Sequence, residues 1–305
     1  MKSPATMSAL SAAPVRPTAP ANAVLAAHAN RMRRDVVRMA HAAGCGHPGG
    51  PLGLAEIFSV LYFERMALDP AQAGHPDRDR LVLSNGHCCA ILYTALARRG
   101  FFPVEELHTF RKFGSHLQGH PHLGALPGIE MSTGSLGNGV SVAAGMALAH
   151  KLDGRAARVY AITSDGENQE GQPWEMATSA VHYGLDNLTL VLDWNGIQID
   201  GRTADVMDTG DLAAKWRAFG WHVEEVDGHD LGALRAAFDA AEAETGRPSL
   251  IAARTTIGKG VSFMEDTSAF HGKAPNDAEA VLALGELGDP APERLDHGDR
   301  TLWLD

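Results

Sequence analysis

Cysteine and positive charge are scarce in this sequence, and long apolar runs are missing. The three cysteines form no CxxC pair, and the adjacent Cys88 and Cys89 are poor disulfide partners, so the set predicts a reducing, cytoplasmic location. The 26 basic residues are outnumbered by 37 acidic ones, and the net charge of −11 argues against broad nucleic-acid binding, which needs a basic surface. No apolar run is long enough to span a bilayer, and the N-terminus has no signal-type apolar core, so no membrane association is expected.

Common nucleotide-binding and zinc motifs are missing as well. The glycine-rich segment STGSLGNG is not GxGxxG, so it does not support a Rossmann dinucleotide loop, and GxxxxGK[ST] occurs nowhere in the chain. His116, His120 and His122 lie close together in sequence, and imidazoles suit zinc. However, no cysteine pair or HExxH helix completes such a site, so zinc is the weaker alternative for these histidines.

The chain does contain a regular alternation of short apolar runs and helix-like segments. Its 305 residues are enough for one large α/β domain or two small ones. The alternation predicts an α/β fold with a doubly wound, mainly parallel sheet flanked by helices. We predict a flexible N-terminal tail over residues 1–22, one large domain over residues 23–280 and a C-terminal tail over residues 281–305.

Two oxygen-bearing side chains follow consecutive apolar runs in the middle of the chain. Asp165 follows the run Tyr160–Thr163, and Asn195 follows the run that begins at Leu188. Parallel strands end at the same edge of a sheet, where open α/β sheets place ligands. A carboxylate, an amide oxygen and a backbone carbonyl suit Mg²⁺ or Ca²⁺. The alternative is that Asp165 only caps a helix and Asn195 only makes a turn, and the pair alone does not separate these possibilities.

Two further histidines lie where the local sequence restricts the backbone. His47 lies in the loop GCGHPGG, where glycines and a proline hold it in a defined place, although a lone loop histidine is usually a solvated surface residue. His87 begins a predicted helix over residues 88–98, where backbone N–H groups and the helix dipole favour an anion. The alternative for His87 is a simple capping role.

Several of these segments together resemble the transketolase family. The family's thiamine diphosphate motif is matched by SDGE around Asp165 and by WNGIQIDG around Asn195, and the resemblance covers roughly residues 25–280. The loops around His47, His87, His120 and His271 also match family segments. Ser164 and Trp194 stand where the family usually has Gly and Asn, and neither departure removes a ligand.

The resemblance implies a role for each matching residue. Thiamine diphosphate and Mg²⁺ (or Ca²⁺) are the implied cofactors. The implied metal ligands are Asp165, Asn195 and the carbonyl of Ile197. The implied cofactor-binding residues are His87, Gly134, Ser135, Leu136, Gly166, Glu167, Asn195 and His271. The implied catalytic residues are His47, His120 and His271, because imidazoles near neutral pKa suit proton transfer on sugar hydroxyls.

Full-length transketolases continue with a second and a third domain that a chain of this length cannot hold. The resemblance therefore implies the N-terminal subunit of a split transketolase that moves a two-carbon ketol unit from a ketose to an aldose. A complementary C-terminal subunit would supply the pyrimidine-binding side, in an expected α₂β₂ assembly. The segment GSLGNGVSVAAGMALA is a candidate for the partner-facing surface, with burial in its own domain as the alternative.

Two different roles also fit a chain that binds thiamine diphosphate. One is the α subunit of a 2-oxo acid dehydrogenase, which shares its cofactor site with a second chain. The four histidines argue against it, because sugar chemistry explains all of them and oxo-acid decarboxylation does not require the full set. The second is a non-catalytic cofactor-binding or regulatory subunit, to which the departures at Ser164 and Trp194 give a little weight.

Overall fold

A five-stranded parallel sheet forms the centre of the computed structural model, which describes residues 12–295 and 300–304. The strand order is β1-β2-β3-β7-β6, and every pairing in this sheet is parallel. A separate two-stranded hairpin, β4-β5, follows the third strand directly. The strands are β1 (Arg80–Leu83), β2 (Val159–Ser164), β3 (Leu188–Trp194), β4 (Ile197–Gln198), β5 (Gly201–Arg202), β6 (His222–Asp227) and β7 (Ser249–Arg254).

Helices cover both faces of this sheet, as the sequence predicts. In β2, Tyr160 and Ile162 face one apolar cluster, while Val159 and Ala161 face another. The helices are α1 (Asn22–Ala43), α2 (Gly49–Gly53), α3 (Ala55–Val60), α4 (Cys89–Arg98), α5 (Asn138–Leu152), α6 (Gln172–His182), α7 (Thr203–Met207), α8 (Leu212–Ala218), α9 (Leu231–Ala243) and α10 (Asp277–Glu286). The first cluster packs against α1, α3, α4, α9 and α10, and the second packs against α5, α6 and α8.

The predicted elements lie within a few residues of the observed ones where the apolar pattern is regular. Helix α1 buries Leu25, Met32 and Val36 along one side, and Gly44 ends it in the left-handed region with φ 63°. After the His47 loop, the chain becomes helical at Gly49, the start of α2. It continues through α3 into a π-helical turn over Leu61–Arg65. The doubly wound α/β fold is confirmed.

The chain after residue 280 is packed on the domain for as far as the structure describes it. Helix α10 crosses the predicted boundary and begins with a capping box between Asn276 and Glu279. Asp289 is buried and pairs with Arg38 at 2.7 Å, and Trp303 is also buried. A tail that starts at residue 281 therefore does not match the structure, because this segment buries apolar and ion-paired side chains. Residues 1–11, 296–299 and 305 lie outside the described residues, and residues 12–21 form no helix or strand.

Candidate functional site

A cavity of about 320 Å³ lies at the carboxyl edge of the sheet. The ends of β1, β2 and β3 form its floor, and the loops that carry the predicted histidines surround it. Most of the residues predicted from the sequence are brought together here. Those that line the cavity are His47, His87, His120, Gly134, Leu136, Gly166, Glu167, Asn195, Ile197 and His271. Asp165 lies beneath this lining and is 1% exposed.

Asp165 and Asn195 meet across the ends of β2 and β3. The carboxylate of Asp165 accepts the N–H of Gly196 at 2.7 Å and that of Gly166 at 2.9 Å. Burial raises the pKa of Asp165 to about 6, although these two backbone donors oppose the change. The oxygen of Asn195 accepts the N–H of Ile197 at 2.9 Å, so the two oxygen side chains converge on one turn. The placement suits a hard divalent cation, as the donor types predict.

Asp193 is a residue of this site that the sequence analysis missed. It lies in the apolar strand β3, is 1% exposed and lines the cavity. One of its oxygens accepts the side-chain N–H of Asn195 at 3.0 Å, and Thr255 after β7 donates to the other. Burial, together with the nearby Asp165, raises the pKa of Asp193 to about 7. A carboxylate inside the apolar run LVLDW was the sequence signal that could have revealed it.

Glu167 connects three chain segments that form the cavity. Its carboxylate accepts the Ser84 hydroxyl at the end of β1 and the Thr163 hydroxyl at 2.9 Å in β2. It also accepts the N–H of Gly137 at 2.7 Å, at the start of α5. Burial raises the pKa of Glu167, and these donors oppose the increase. These bonds occupy both carboxylate oxygens, so Glu167 holds the walls of the cavity in place.

The turn before α5 approaches the His87 turn closely. A Cβ added at Gly86 would lie 2.6 Å from the Thr133 hydroxyl and 2.8 Å from the N of Gly134. Gly134 has φ 143°, in a region that residues with a side chain rarely adopt. The predicted Ser135 is exposed and does not line the cavity, whereas Leu136 does. Glycine is therefore required here by the close approach of two backbone turns.

The four predicted histidines come from four separate loops and form one cluster. The ring of His47 lies 5.4 Å from that of His87, 5.9 Å from that of His271 and 6.5 Å from that of His120, measured between centroids. Burial, together with a smaller effect of neighbouring positive groups, lowers the pKa of His47 to about 4 and that of His87 to about 3. Burial also lowers the pKa of His120 and of His271. The cluster is therefore neutral near pH 7 and can accept protons.

Several polar atoms around the cavity have no hydrogen-bond partner among the residues that the structure describes. These are the Nδ1 atoms of His47 and His271, the side-chain oxygen of Asn85 and the hydroxyl of Thr133. Buried polar atoms are normally satisfied, so unpaired ones in a cavity indicate a polar ligand. A diphosphate with a divalent cation fits this donor set, since imidazole and hydroxyl groups can donate and the Asp165 turn supplies oxygens.

The zinc alternative for the clustered histidines finds no support in the geometry. His116 and His122 are both exposed, and neither lines the cavity that contains His120. Within residues 12–295 and 300–304, no three His, Cys, Asp or Glu side chains are arranged to hold a metal ion. The same part of the chain contains no helix that combines the length and the apolar character needed to cross a membrane.

Trp194 and Ser164, the two departures from the family pattern, have separate surroundings. Trp194 does not line the cavity, and its ring stacks on the Arg254 guanidinium, whose carbon lies 3.2 Å from the ring centroid. Ser164 does line the cavity, and its hydroxyl accepts the N–H of Glu167 at 3.3 Å. Only Ser164 is thus placed to affect a ligand directly.

The fold and the cavity define an α/β protein with a ligand site at the carboxyl edge of a parallel sheet. Comparison with known proteins specifies the family. The family described as "Transketolase, thiamine diphosphate binding domain" matches residues 24–293. The chain therefore belongs to the transketolase family through its thiamine diphosphate-binding domain, as the sequence motifs predict.

Similar proteins include both short subunits and much longer enzymes. The 6-deoxy-6-sulfo-D-fructose transketolase subunit SqwG of Clostridium sp. (strain MSTE9) is 43% identical over 259 residues, covering 85% of this chain and 94% of that protein. An apulose-4-phosphate transketolase subunit of Actinobacillus succinogenes is 40% identical, with coverage of 84% and 93%.

Solved transketolases share the fold over nearly the whole chain. A mutant transketolase from Pichia stipitis superposes with a TM-score of 0.86 at 34% identity, covering 92% of this chain and 43% of that one. The transketolase of Leishmania mexicana gives 0.84 at 32%, covering 92% and 44%. The chain thus spans less than half the length of these enzymes but nearly the full length of the subunit relatives.

Proposed function

We propose that this chain is the thiamine diphosphate-binding subunit of a two-chain transketolase, active only with a complementary subunit. The main observation behind this proposal is that the Asp165 turn and four neutral histidines surround one cavity at the carboxyl edge of the sheet. The near full-length match to proteins named as transketolase subunits supports the division into two chains. The reaction is transfer of a two-carbon ketol unit from a ketose, or ketose phosphate, to an aldose.

The Asp165 turn is proposed to hold Mg²⁺ or Ca²⁺. Asp165, Asn195 and the carbonyl of Ile197 are the ligands, and Asp193 orients Asn195 by accepting its amide N–H. A residue that fixes the orientation of a ligand commonly affects metal affinity about as strongly as some ligands do. The cation would join the cofactor's diphosphate to the sheet edge.

The cofactor is proposed to lie in the cavity between the His87 turn and the Gly134 turn. The residues that contact it are His87, His271 and the backbone of Gly134, Leu136 and Gly166, while Glu167 keeps these turns in register. Bound thiamine diphosphate supplies the electron sink for breaking a carbon–carbon bond of a ketose. Near pH 7 the imidazoles of His47, His120 and His271 are neutral, so they can take protons from sugar hydroxyls and return them.

A partner subunit is proposed to cover the cavity. Ile199 lines the cavity and is 63% exposed, and Leu123, in the connection that carries His120, is 57% exposed. Large exposed apolar residues beside a binding site are typical of an interface. The partner would be the complementary C-terminal transketolase subunit, with two copies of each chain in an α₂β₂ assembly.

The glycine- and alanine-rich segment 134–149 is partly buried in its own domain and partly exposed, so one side of it remains available to a partner. Val140, Ala143 and Ala147 of α5 are buried in the domain's own core. Gly145 is exposed and, with Tyr183 at the end of α6, lines an apolar groove of about 290 Å³. We propose that this groove side of α5 contacts the partner subunit. The three free cysteines are consistent with the proposed cytoplasmic location.

The test is a reconstitution at fixed substrate concentration. The purified chain with thiamine diphosphate and Mg²⁺ should be inactive with ketose donors, because one side of its cavity is open. Titration with the complementary subunit should produce ketol transfer that saturates at one partner per chain. Robust transfer by the chain alone, in a host without its own transketolase, would disprove the two-chain proposal. Turnover of pyruvate with an electron acceptor by the complex would instead favour a 2-oxo acid dehydrogenase.

A further inference from the structure

Arg111 packs against the two loops that carry His47 and His120. A Cβ built at Gly119, just before His120, would lie 2.7 Å from the guanidinium carbon of Arg111. One built at Gly46, just before His47, would lie 4.0 Å from Arg111 Cδ. The absence of a side chain at Gly119 therefore leaves the space that the guanidinium occupies, and at Gly46 the arginine stem is in ordinary contact distance.

The backbone at Arg111 is held in an uncommon conformation. Its φ is 57°, in the left-handed region that residues other than glycine, Asn and Asp rarely adopt. Its N–H donates to the Leu117 carbonyl at 2.8 Å, which closes the turn. Strained residues that persist tend to cluster at functional sites. Here the strained turn directs the guanidinium toward the histidine loops.

The charge of Arg111 has no counter-ion in the part of the chain that the structure describes. No carboxylate of residues 12–295 and 300–304 forms an ion pair with it, whereas Arg78 pairs with Glu130 and Arg98 with Asp35. Arg111 is half-buried, and its guanidinium carbon lies 5.9 Å from the Phe110 ring centroid. An unpaired charge with limited solvent access acts on its neighbours more strongly than an exposed one.

The charge of Arg111 affects the pKa values of the four histidines to different extents. Burial is the main cause of the low pKa of His47, followed by the charges of His271, Arg111 and His120. Burial and then Arg111 lower the pKa of His120. The pKa of His87 is lowered by burial and by the other three histidines, and that of His271 by burial alone. The charge of Arg111 therefore contributes to the low pKa of His47 and of His120, but not to that of His87 or His271.

We propose that Arg111 is a positioning residue, which packs against both the His47 loop and the His120 loop and places there a positive charge that has no carboxylate partner among the described residues. A positive neighbour disfavours the imidazolium form, so both rings stay able to accept a proton. The expected effect of Arg111 on turnover rests on the proposed ketol transfer. Its expected effect on the pKa values of His47 and His120 does not, because those values are properties of this chain's own side chains.

The electrostatic part is tested by NMR titration of the histidine rings in the full purified chain, assigned with single His→Gln variants. In Arg111→Gln the titration midpoints of His47 and His120 should rise by about half a pH unit, because a positive charge that opposes their protonation is gone. The midpoints of His87 and His271 should not rise. In Arg111→Lys, which keeps the charge, all four should stay near those of the wild type.

Two further variants separate charge from folding. In Gly119→Ala the new methyl group displaces the guanidinium while the charge remains in the protein, so the two midpoints should rise by a smaller amount. This variant also provides the test if Arg111→Gln fails to fold. Lys112→Gln is the matched control, since it removes the adjacent but exposed positive charge and should leave all four midpoints unchanged.

Unchanged midpoints of His47 and His120 in both Arg111→Gln and Gly119→Ala would overturn the proposal. So would an equal rise in all four histidines, or a rise in Arg111→Lys as large as in Arg111→Gln. In the assembled enzyme, the acidic limb of the kcat/KM pH profile should move to higher pH in Arg111→Gln. If the midpoints shift as expected but the complex shows no ketol transfer even as wild type, the proposed function fails and the electrostatic role of Arg111 stands.

Discussion

Histidines at the cavity and histidines elsewhere in the domain differ in what their ring nitrogens contact. His229 Nδ1 bonds the Glu56 carboxylate at 3.0 Å, and its Nε2 accepts the N–H of Thr256 at 2.9 Å. At the cavity, the Nδ1 atoms of His47 and His271 are buried and have no hydrogen-bond partner in the described part of the chain. Both groups are substantially removed from water. Burial alone therefore does not mark His47 and His271 as functional candidates, whereas the combination of a cavity position and an unsatisfied ring nitrogen does.

Two buried aspartates at opposite ends of the sheet also differ in their surroundings. Asp79, just before β1, accepts the N–H of Ala67 at 2.9 Å and that of Arg158 at 2.8 Å, which connects three segments of the fold. Asp165, after β2, also accepts from three segments, through the N–H groups of Gly166 and Gly196 and the hydroxyl of Thr203, but it lies at the carboxyl edge of the sheet, beside the cavity lining. Asp79 does not line the cavity, whereas Asp165 lies at the proposed cation site.

The largest expected effect distinguishes these two aspartates. Asp165→Ala should abolish metal-dependent binding of thiamine diphosphate to the assembled complex, because it removes the charged ligand of the proposed site. Asp79→Asn is the control: it should lower the free energy of unfolding by about 1–3 kcal/mol and leave cofactor affinity unchanged. Isothermal titration calorimetry and urea unfolding measure the two effects. Unchanged cofactor affinity in Asp165→Ala would remove Asp165 from the metal site.

The next effect distinguishes the two groups of histidines. His47→Ala and His271→Ala should each lower turnover of the cofactor-saturated complex by roughly a hundredfold, since they remove proton-transfer groups. His229→Ala should instead lower the free energy of unfolding and spare turnover, because it removes a hydrogen bond to Glu56 and leaves the Thr256 N–H without its acceptor. The comparison fails if His47→Ala weakens cofactor binding while turnover at saturation stays normal.

The smallest expected effect is on how the free energy of unfolding depends on pH. Burial, together with the neighbouring histidines, lowers the pKa of His87 from 6.5 to about 3 in the folded chain. The unfolded chain therefore binds the extra proton as the pH falls below about 6.5, so this stabilisation is complete above that pH and is lost toward pH 3. One such group changes the free energy of unfolding by up to about 1.4 kcal/mol per pH unit.

His87→Asn should reduce this slope, measured by urea unfolding at a series of pH values between about 4 and 6.5. His182→Asn, which changes a histidine at the end of α6 and away from the cavity, should leave the slope unchanged. An identical slope in wild type and His87→Asn would mean that His87 is not held neutral by the fold.

The elements and the motif residues could be predicted from the sequence because their signals are local. The apolar spacing of α1, the buried runs of β2 and β3, and Gly44 after α1 depend on residues a few positions apart. The family motifs identified Asp165 and Asn195 in the same way. The predicted C-terminal tail failed because its packing depends on a distant contact, between Asp289 and Arg38 of α1.

Sequence by itself thus determined the α/β class, the family and the identity of most cavity residues, since periodicity and motifs are properties of short segments. Only the tertiary structure decided that Asp193 orients Asn195, that Glu167 joins three turns, and that Arg111 lies against two histidine loops. The physical reason is that these roles arise from contacts between segments far apart in the chain. Parallel strands bring the segments together at one edge, and burial there strengthens each charge and each unpaired polar atom.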